Sequence, residues 1–317
     1  MKGKLINAAK IAISLGLMAF LFTRPEMSQA GQMLLSANLW YVTVAVVVYI
    51  IAILVNVYKW QLLLRAQGIE VPFGSLASHF ITGLFFANFL LPMVAGDVVR
   101  GYGLARDSEQ AAESAISVLV DRMVGLASFL FAGLLALALA VALMGRDDFR
   151  WLMFIVLLAN LAFAALFLAL ISRRLRGVLE RALKLGFLSR LLPVYARLSK
   201  AIDAYRDNLP ALLLAFLVAL AGLVLTNLVN YCSARAVEAG IPLVYIFILN
   251  PLTPFAPLLI PSVGGLGVNQ GTFVLLYSRV AGVASPAAAF SLSLVMQAII
   301  YVTSLPGAFL WWRWRKL

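Results

Sequence analysis

The stretch from Asn250 to Gly271 reads NPLTPFAPLLIPSVGGLGVNQG and lies deep in the hydrophobic C-terminal third of the chain. Its four prolines each remove a backbone hydrogen-bond donor, and its glycines favour turns, so a continuous helix cannot run through it. Inside a bilayer, backbone groups that a helix leaves unpaired must be satisfied by protein or by a water-filled cavity. We therefore predict a broken helical segment that lines a substrate path.

The composition of the 317-residue chain indicates the class of protein. Hydrophobic residues make up 63% of the chain and charged residues 12%, whereas a soluble domain has about 25% charged residues. The sequence predicts an all-α polytopic membrane protein with a single integral membrane domain, 1–317. The formal net charge of +12 is explained by basic residues at predicted cytoplasmic edges, so nucleic acid is not expected as a partner.

Cysteine and histidine each occur once, as Cys232 and His79. This count excludes an internal disulfide and a Cys/His metal set, so both residues are expected to have packing roles. No metal and no cofactor is expected.

Apolar runs and flanking charges predict six full spans. Basic residues between Arg173 and Arg206 mark the cytoplasmic side, and counting away from them alternates the other runs across the membrane. Lys59 and Arg65 are expected to anchor the second span in the cytoplasm, where both termini also lie. The six spans are 5–22, 39–58, 114–143, 151–172, 211–231 and 287–311.

Two further apolar segments, 76–96 and 244–281, begin and end on the same side of the membrane in this scheme. We predict two re-entrant helical hairpins that enter from opposite faces. Residues 91–96 and 260–265 share an apolar residue and a proline at the same spacing ahead of glycine, which favours an inverted repeat. The halves are 1–172 and 208–317, joined by a cytoplasmic basic amphipathic linker, 173–207.

The linker alternates basic and apolar residues at helical spacing, which is typical of helices lying on an anionic leaflet. It could be a surface strap between the halves or a lipid-sensing element. The residues expected to contact the leaflet are Arg173, Arg174, Arg176, Arg181 and Lys184.

Four ionisable residues lie in or beside the predicted spans, where each costs roughly 2.5–3.5 kcal/mol to insert. Neighbouring positions on a helix diverge by about 100°, so Asp121 and Arg122 cannot pair with each other. We predict pairs between Asp121 and Arg100 and between Arg122 and Asp97. Remaining guanidinium donors of both arginines would hold a phosphate, and Asp97 and Asp121 are candidates for a coupling proton. The alternative is an ion-pair cluster with a structural role alone.

The glycine-rich turn in the second hairpin runs into a helix, and backbone amides at a helix start suit a phosphate or carboxylate. A second helix start is expected at Gly96–Asp97. The alternative is that the glycines permit close helix packing. The residues expected to bind substrate in this turn are Gly264, Gly265, Gly267, Asn269 and Gln270.

The chain contains no GxxxxGK[ST] phosphate loop, no His-rich metal set and no serine nucleophile elbow, so it is not expected to be an enzyme. An integral transferase with a lipid-phosphate donor is the runner-up, with Asp97, Glu113 and Asp121 as its acids and bases. A third alternative is a non-transporting assembly partner of a lipid-modifying system.

Three motifs occur in order: PMVAGDVVR at 92–100, SVLVDRMVG at 117–125 and PSVGGLGV at 261–268. As a set they resemble the flippase-like transmembrane domain of the lysylphosphatidylglycerol synthases, and the resemblance covers most of the chain. It implies a bacterial-type inner-membrane protein that moves an anionic phospholipid or a polyprenyl-phosphate-type lipid between leaflets. Relatives also occur beside lipid-linked glycosylation and hopanoid pathways, so the resemblance does not define the cargo.

The chain departs from that family pattern at two points. Many relatives carry an acidic residue just after the glycine turn, where this chain has Asn269 and Gln270. The soluble aminoacyl-transferase domain of the bifunctional members is absent, which argues against aminoacylation. The first departure argues against a proton-coupled or cation-binding role for the turn.

Overall fold

The computed structural model describes residues 16, 28–89, 93–172, 203–260, 262 and 264–314. Within these ranges every regular element is a helix, and no strand occurs among them. Three parts of the chain lie outside the described residues: the predicted first span 5–22 apart from Gly16, most of the basic linker with its five named cations, and the extreme termini. The described ranges confirm an all-α polytopic membrane protein.

The first part of the chain forms long helices with short connections. Gly145 ends the fifth helix in the left-handed conformation, with φ of 64°, and a single 3-10 turn (Asp147–Phe149) leads into the next helix. Glycine adopts this conformation without the steric cost that a Cβ adds. The helices are α1 (Ser28–Leu35), α2 (Leu39–Ala66), α3 (Phe73–Phe89), α4 (Met93–Ser108), α5 (Ala111–Met144) and α6 (Arg150–Ile171).

The second part is interrupted where prolines occur, as the sequence predicts. Pro306 lacks an N–H, and the predicted span 287–311 accordingly breaks at Leu305 into two helices. The elements are α7 (Leu209–Ala236), α8 (Leu243–Leu249), a 3-10 helix (Asn250–Phe255), α9 (Ala256–Leu259), α10 (Val268–Phe273), a π-helix (Val274–Val280), α11 (Pro286–Ser304) and α12 (Pro306–Trp314).

Five helical stretches in the described residues are long and apolar enough to cross a membrane. A span needs about 20 apolar residues, and each of these stretches coincides with one of the six predicted spans. The five stretches are Leu39–Ala66, Ala111–Met144, Asp147–Leu168, Leu209–Ala236 and Pro286–Trp314.

Helix α4 begins at Met93, so the predicted helix start at Gly96–Asp97 is wrong by about one turn. Gly96 lies inside the helix, where a Cβ would collide with the carbonyl oxygen of Gly83 and with Ala87 of α3. The absent side chain therefore allows α3 and α4 to pack closely side by side. Gly96 therefore serves helix packing, whereas the sequence predicted a turn at this position.

Helices α2 and α7 share features that the sequence analysis did not identify. Both contain 28 residues and end in Arg-Ala. Each is followed by a glycine with positive φ, 75° at Gly68 and 69° at Gly240, and then by isoleucine. A proline, Pro72 or Pro242, directly precedes the next helix in both cases.

The chain forms two compact units, each built from separate parts of the sequence. As far as these ranges are described, the terminal unit is Met1–Ile53, Ile81–Asp97 and Gly222–Leu317, and the central unit is Leu54–Phe80 and Val98–Ala221. The boundaries cut through α2, α3, α4 and α7 and do not follow the predicted halves. The predicted single domain 1–317 and its linker boundaries stay predictions.

Each unit has its own apolar core. In the central unit, Leu63 of α2 packs with Val120 and Val124 of α5 and with Ala215 of α7. In the terminal unit, α1 packs on α11 through Ala30 and Phe290. The core of the central unit adjoins the polar residues described next.

Candidate functional site

A buried ionic cluster lies in the central unit, on three helices. Asp121 of α5 contacts both Lys59 of α2, at 3.1 Å between Oδ1 and Nζ, and Arg100 of α4. The Nη1 group of Arg100 donates to Oδ2 of Asp121 at 2.8 Å. No side chain of the three is more than 7% exposed. The predicted pairing of Asp121 with Arg100 is therefore present.

Aromatic rings surround the guanidinium of Arg100. Its central carbon lies 5.1 Å from the ring centroid of Trp60 and 5.4 Å from that of Phe80. Trp60 is held in place because its Nε1 donates to the buried hydroxyl of Ser117 at 3.1 Å. Cation–π contacts of this kind stabilise a charge that has been taken out of water.

The charges of the cluster do not cancel among its three members, because Lys59 and Arg100 share the single carboxylate of Asp121. Removing a charge from water costs several kcal/mol, and a carboxylate between two cations offsets part of that cost. The three residues together keep a net positive charge. Arginine and lysine side chains of this kind can donate charge-assisted hydrogen bonds to the oxygens of a phosphate.

Lys59 is the member whose pairing with Asp121 the sequence did not predict. It was expected to anchor a span in the cytoplasm. In the structure it lies within α2, is only 4% exposed and pairs with Asp121 of α5. The signal in the sequence is that the apolar pattern resumes after it, because Leu62, Leu63 and Leu64 continue the helix to Ala66. A basic residue ends a span only where the apolar run ends too.

The second predicted pair joins residues of different units. Arg122 is half-buried on α5 in the central unit, and Asp97 is half-buried on α4 in the terminal unit. Both side chains have interactions of their own. Their pairing, the phosphate-binding role of Arg122 and the coupling role of Asp97 stay predictions.

The glycine-rich turn belongs to the terminal unit and needs its glycines. Gly264, Gly265 and Gly267 have φ of 57°, 77° and 79°. A Cβ on Gly264 would lie 2.5 Å from the backbone oxygen of Asn88 and 2.8 Å from the hydroxyl of Tyr301. Positive φ and close contact together exclude other residues at Gly264 without a shift of its neighbours.

Side chains after the turn hold it in shape. Asn269 Nδ2 donates to Gln297 Oε1 at 3.0 Å, and Gln297 Nε2 donates to the Gly264 carbonyl at 3.1 Å. The backbone N–H of Gly267 donates to Gln270 Oε1 at 2.7 Å. Asn269, Gln270 and the backbone of the turn, which were predicted to bind a headgroup, thus form hydrogen bonds that stabilise the turn itself. Gln297, a lone amide in the apolar helix α11, is a residue whose structural role here was missed.

Side-chain amides of α7 form hydrogen bonds with the first residue of the broken segment, Asn250. Asn250 Nδ2 donates to Asn227 Oδ1 at 2.6 Å, and Asn230 Nδ2 donates to Asn250 Oδ1 at 3.1 Å. The Thr253 hydroxyl bonds the carbonyl of Asn250 at 2.9 Å. These bonds tie the 3-10 helix to α7, which is how a non-helical segment is tolerated at membrane depth.

His79 forms a separate polar contact in the central unit. It is buried, as expected of a packing residue, and its Nε2 lies 2.7 Å from Oδ2 of Asp107. Burial lowers the pKa of His79, although the hydrogen bond with Asp107 opposes this shift. Because a carboxylate oxygen accepts, the Nε2–H of His79 is the donor in this hydrogen bond.

Long apolar helices with buried ionic and amide clusters define a class of polytopic membrane proteins with polar groups placed inside the membrane domain. The chain belongs to the family described as lysylphosphatidylglycerol synthase TM region, which matches residues 7–307. It is 27% identical over 282 residues to a UPF0104 membrane protein of Methanothermobacter thermautotrophicus, covering 82% of this chain and 81% of that protein. No solved structure matches.

Proposed function

We propose that the protein is a lipid flippase or scramblase-like transporter that moves an anionic phospholipid or polyprenyl-phosphate-type lipid between leaflets. The observation that carries this proposal is the buried cluster in a membrane domain, where two cations, Lys59 and Arg100, contact the carboxylate of Asp121. Ionisable residues within membrane segments usually mark a substrate or ion path. Membership of a family whose description concerns a phospholipid synthase supports a lipid as the substrate.

A phosphate fits the cluster for chemical reasons. Arg100 is preorganised by aromatic rings and by Asp121, so little side-chain freedom is lost when an oxyanion binds. Lys59 adds a second charge-assisted donor. Asp121 positions both cations rather than contacting the lipid, and Arg122 on the same helix is proposed as an additional phosphate ligand.

The pathway is proposed to use two re-entrant hairpins, α3–α4 and α8–α10, related by an inverted repeat. The matching lengths and endings of α2 and α7, each followed by a left-handed glycine and a proline, support the repeat. Close packing at Gly96 supports a hairpin in the first half. Repeats of this kind allow two halves to rock around a fixed site.

An apolar groove in the terminal unit also supports a lipid as the substrate, because it could hold the hydrocarbon chain of that lipid. The groove has a volume of about 540 Å³. It is lined almost only by apolar atoms from α1, α2 and α11, which suits an acyl or prenyl chain. Its lining includes Leu34, Val42, Leu294, Ala298 and Val302.

We further propose a bacterial-type inner membrane as the location, with both termini in the cytoplasm and the basic linker on the anionic leaflet. No covalent change of the lipid is proposed. The transferase and the assembly-partner alternatives therefore differ from the proposal in what they do to the lipid, which the following experiment measures.

The test is leaflet exchange of a fluorescent phosphatidylglycerol in proteoliposomes that contain the purified full chain. Losing one charge-assisted hydrogen bond costs about 1.5–3 kcal/mol, so Lys59→Met, Arg100→Gln and Arg122→Ala should each slow exchange by about tenfold or more. The matched control is Arg150→Gln, which removes an exposed arginine that lies 2.9 Å from Asp147 and should leave the rate unchanged.

Each other outcome identifies an alternative. Exchange at the unmutated rate in all three folded variants overturns the site. No exchange in the wild type overturns the transport function. A change in lipid mass on incubation with a lipid-phosphate donor indicates the transferase, and copurification with a lipid-modifying enzyme without either activity indicates the assembly partner.

A further inference from the structure

Among the described residues of the terminal unit, five side-chain hydrogen-bond donors are buried without an acceptor, and three of these five belong to residues at or beside the glycine-rich turn. These three are the side-chain amide nitrogens of Asn88 and Gln270 and the hydroxyl of Ser262. An unsatisfied buried donor costs about 1–3 kcal/mol, so a cluster of three indicates an absent partner. Gln270 is fully buried, with 0% exposure, so bulk water does not reach its amide.

The residues that carry these three donors lie in the glycine-rich turn or beside it. Gln270 is held there because its Oε1 accepts from the Gly267 N–H, which leaves its amide nitrogen as the unsatisfied end. Ser262 precedes Gly264 by two residues. Asn88 reaches the turn from α3, since its backbone oxygen lies 2.5 Å from the Cβ position of Gly264.

The chemistry of the turn favours an uncharged ligand. Among the described residues, the side chains that contact it, Asn269, Gln270, Gln297 and Tyr301, are uncharged. A phosphate among them would be a buried anion without a counter-charge, which is costly. Amide and hydroxyl donors instead suit neutral oxygen atoms. Because these donors are uncharged, the site holds no buried charge after the ligand leaves.

Acceptors are available beside the donors. Asn88 is the next-to-last residue of α3, and the carbonyls in the last turn of a helix have no partner within it. The Ser262 oxygen can accept as well as donate. A group with adjacent hydroxyls, which both donates and accepts, satisfies this arrangement better than an ester or a carbonyl does.

Aromatic rings add a flat apolar wall. The rings of Phe89 and Tyr301 are stacked at a tilt, with centroids 4.9 Å apart. The Tyr301 hydroxyl lies 2.8 Å from the Cβ position of Gly264, so this wall adjoins the turn. Such a wall covers the carbon side of a polyol while the amides bond its oxygens.

We propose that Asn88, Ser262 and Gln270 form a subsite for the uncharged, polyhydroxyl part of a lipid headgroup, either glycerol or a sugar. The subsite rests on the proposed transport of a lipid, and it concerns the hydroxyl groups of the headgroup. Asn88 and Ser262 are specificity-determining residues that the sequence analysis did not select.

The test uses lipid pairs that differ only in hydroxyl groups. One arm compares exchange of phosphatidylglycerol with phosphatidylpropanol, and the other compares a hexosyl polyprenyl phosphate with polyprenyl methyl phosphate. Each pair has the same charge and tails. In at least one arm, the hydroxyl-bearing lipid should move about tenfold faster, the equivalent of roughly one net hydrogen bond. The arm that responds identifies glycerol or sugar.

Variants tie this preference to the subsite. Asn88→Leu and Ser262→Ala, which each remove one unsatisfied donor without adding a charge, should bring the ratio of the two rates close to one. The matched control is Asn160→Leu, which removes a half-buried amide that donates to the carbonyls of Leu130 and Val156 in the central unit, and it should retain the wild-type ratio. An equal rate for both lipids in both arms, or an unchanged ratio in the variants, overturns the proposal.

A binding measurement separates this inference from the transport function. If neither lipid is moved, the subsite is tested by the increase in unfolding temperature that each lipid gives to the detergent-purified protein. Phosphatidylglycerol or the hexosyl lipid should stabilise the wild type more than its partner lipid, and Asn88→Leu should abolish the difference. Equal stabilisation by both lipids in both arms overturns the subsite. Without added lipid, Asn88→Leu should not lower the unfolding temperature, because it removes an unsatisfied donor.

Discussion

At the scale of single residues, the chemistry of the central unit depends on Asp121. Its two carboxylate oxygens each contact a different cation, Lys59 and Arg100, and all three residues are buried. Each partner comes from a different helix, so the contacts also join α2 and α4 to α5. The stability of the unit and the placement of its cations therefore depend on one side chain.

Replacing Asp121 with asparagine should destabilise the protein by about 3–5 kcal/mol, because two buried cations lose the carboxylate that both contact. The measurement is the midpoint of thermal unfolding in detergent. Adding Lys59→Met to Asp121→Asn should restore part of the loss, since one uncompensated cation is removed. The control, Asp147→Asn, affects an exposed pair with Arg150 and should change stability by no more than about 0.5 kcal/mol. Equal effects at the two sites would contradict the prediction.

His79 should make stability depend on pH. Burial holds its pKa below the ordinary value of 6.5, so the native state binds fewer protons than the unfolded state, and stability falls as pH decreases through that value. Asp107, which opposes the shift, and Arg106, which reinforces it, are the charged neighbours. The unfolding temperature should fall from about pH 7.5 to about pH 5.5.

The chain has one histidine, which makes this experiment specific. His79→Gln keeps a neutral donor toward Asp107 and does not titrate in this range, so its unfolding temperature should be nearly constant between the two pH values. A rise in the stability of the wild type at low pH would mean that the charged pair with Asp107 outweighs burial.

At the scale of elements, the broken segment from α8 to α10 is ordered by side chains from neighbouring helices. Amides of α7 bond Asn250 at its beginning, and Gln297 of α11 bonds the Gly264 carbonyl at its turn. Prolines and glycines decide where helices end, but these amides decide the shape that the interrupted chain adopts. The shape is therefore sensitive to small changes at the turn.

Two glycines of this segment should respond in opposite ways to alanine. Gly264→Ala should lower stability by more than about 1 kcal/mol, because φ is 57° and the new Cβ meets the Asn88 oxygen and the Tyr301 hydroxyl. Gly271→Ala should raise it by about 0.5–1 kcal/mol, because Gly271 is helical and nothing lies within 4 Å of its Cβ position. Thermal unfolding of both variants, measured together, checks this. Equal effects of the two changes would show that the turn is not as close-packed as described.

At the scale of the whole molecule, helices and charges predict on which side each connection lies. In a Cys232→Ser background, an impermeant thiol reagent should label Asp148→Cys and Glu238→Cys from outside intact cells. Gln67→Cys and Glu109→Cys should react only after permeabilisation, because α3 and α4 form a hairpin that returns to its starting side. Labelling of Gln67→Cys and Glu109→Cys from opposite sides would exclude the hairpin.

The sequence alone determined the helical class, five spans that coincide with described helices, the interruption by prolines, and the pairing of Asp121 with Arg100. These features follow from local rules: the length of an apolar run, the missing N–H of proline, and the cost of an unpaired charge in the membrane. Such rules act along the chain and can be evaluated without knowing which helices are neighbours.

Only the tertiary structure decided that Lys59 joins Asp121, that His79 bonds Asp107, and that Gln270 caps the turn while its amide nitrogen stays unsatisfied. It also showed that Gly96 serves helix packing. The physical reason is that hydrogen bonds and ion pairs are short-ranged, so residues far apart in sequence form them only when packing brings their helices together. For the same reason, the spacing of motifs identified the polar segments but did not identify the partners of each side chain.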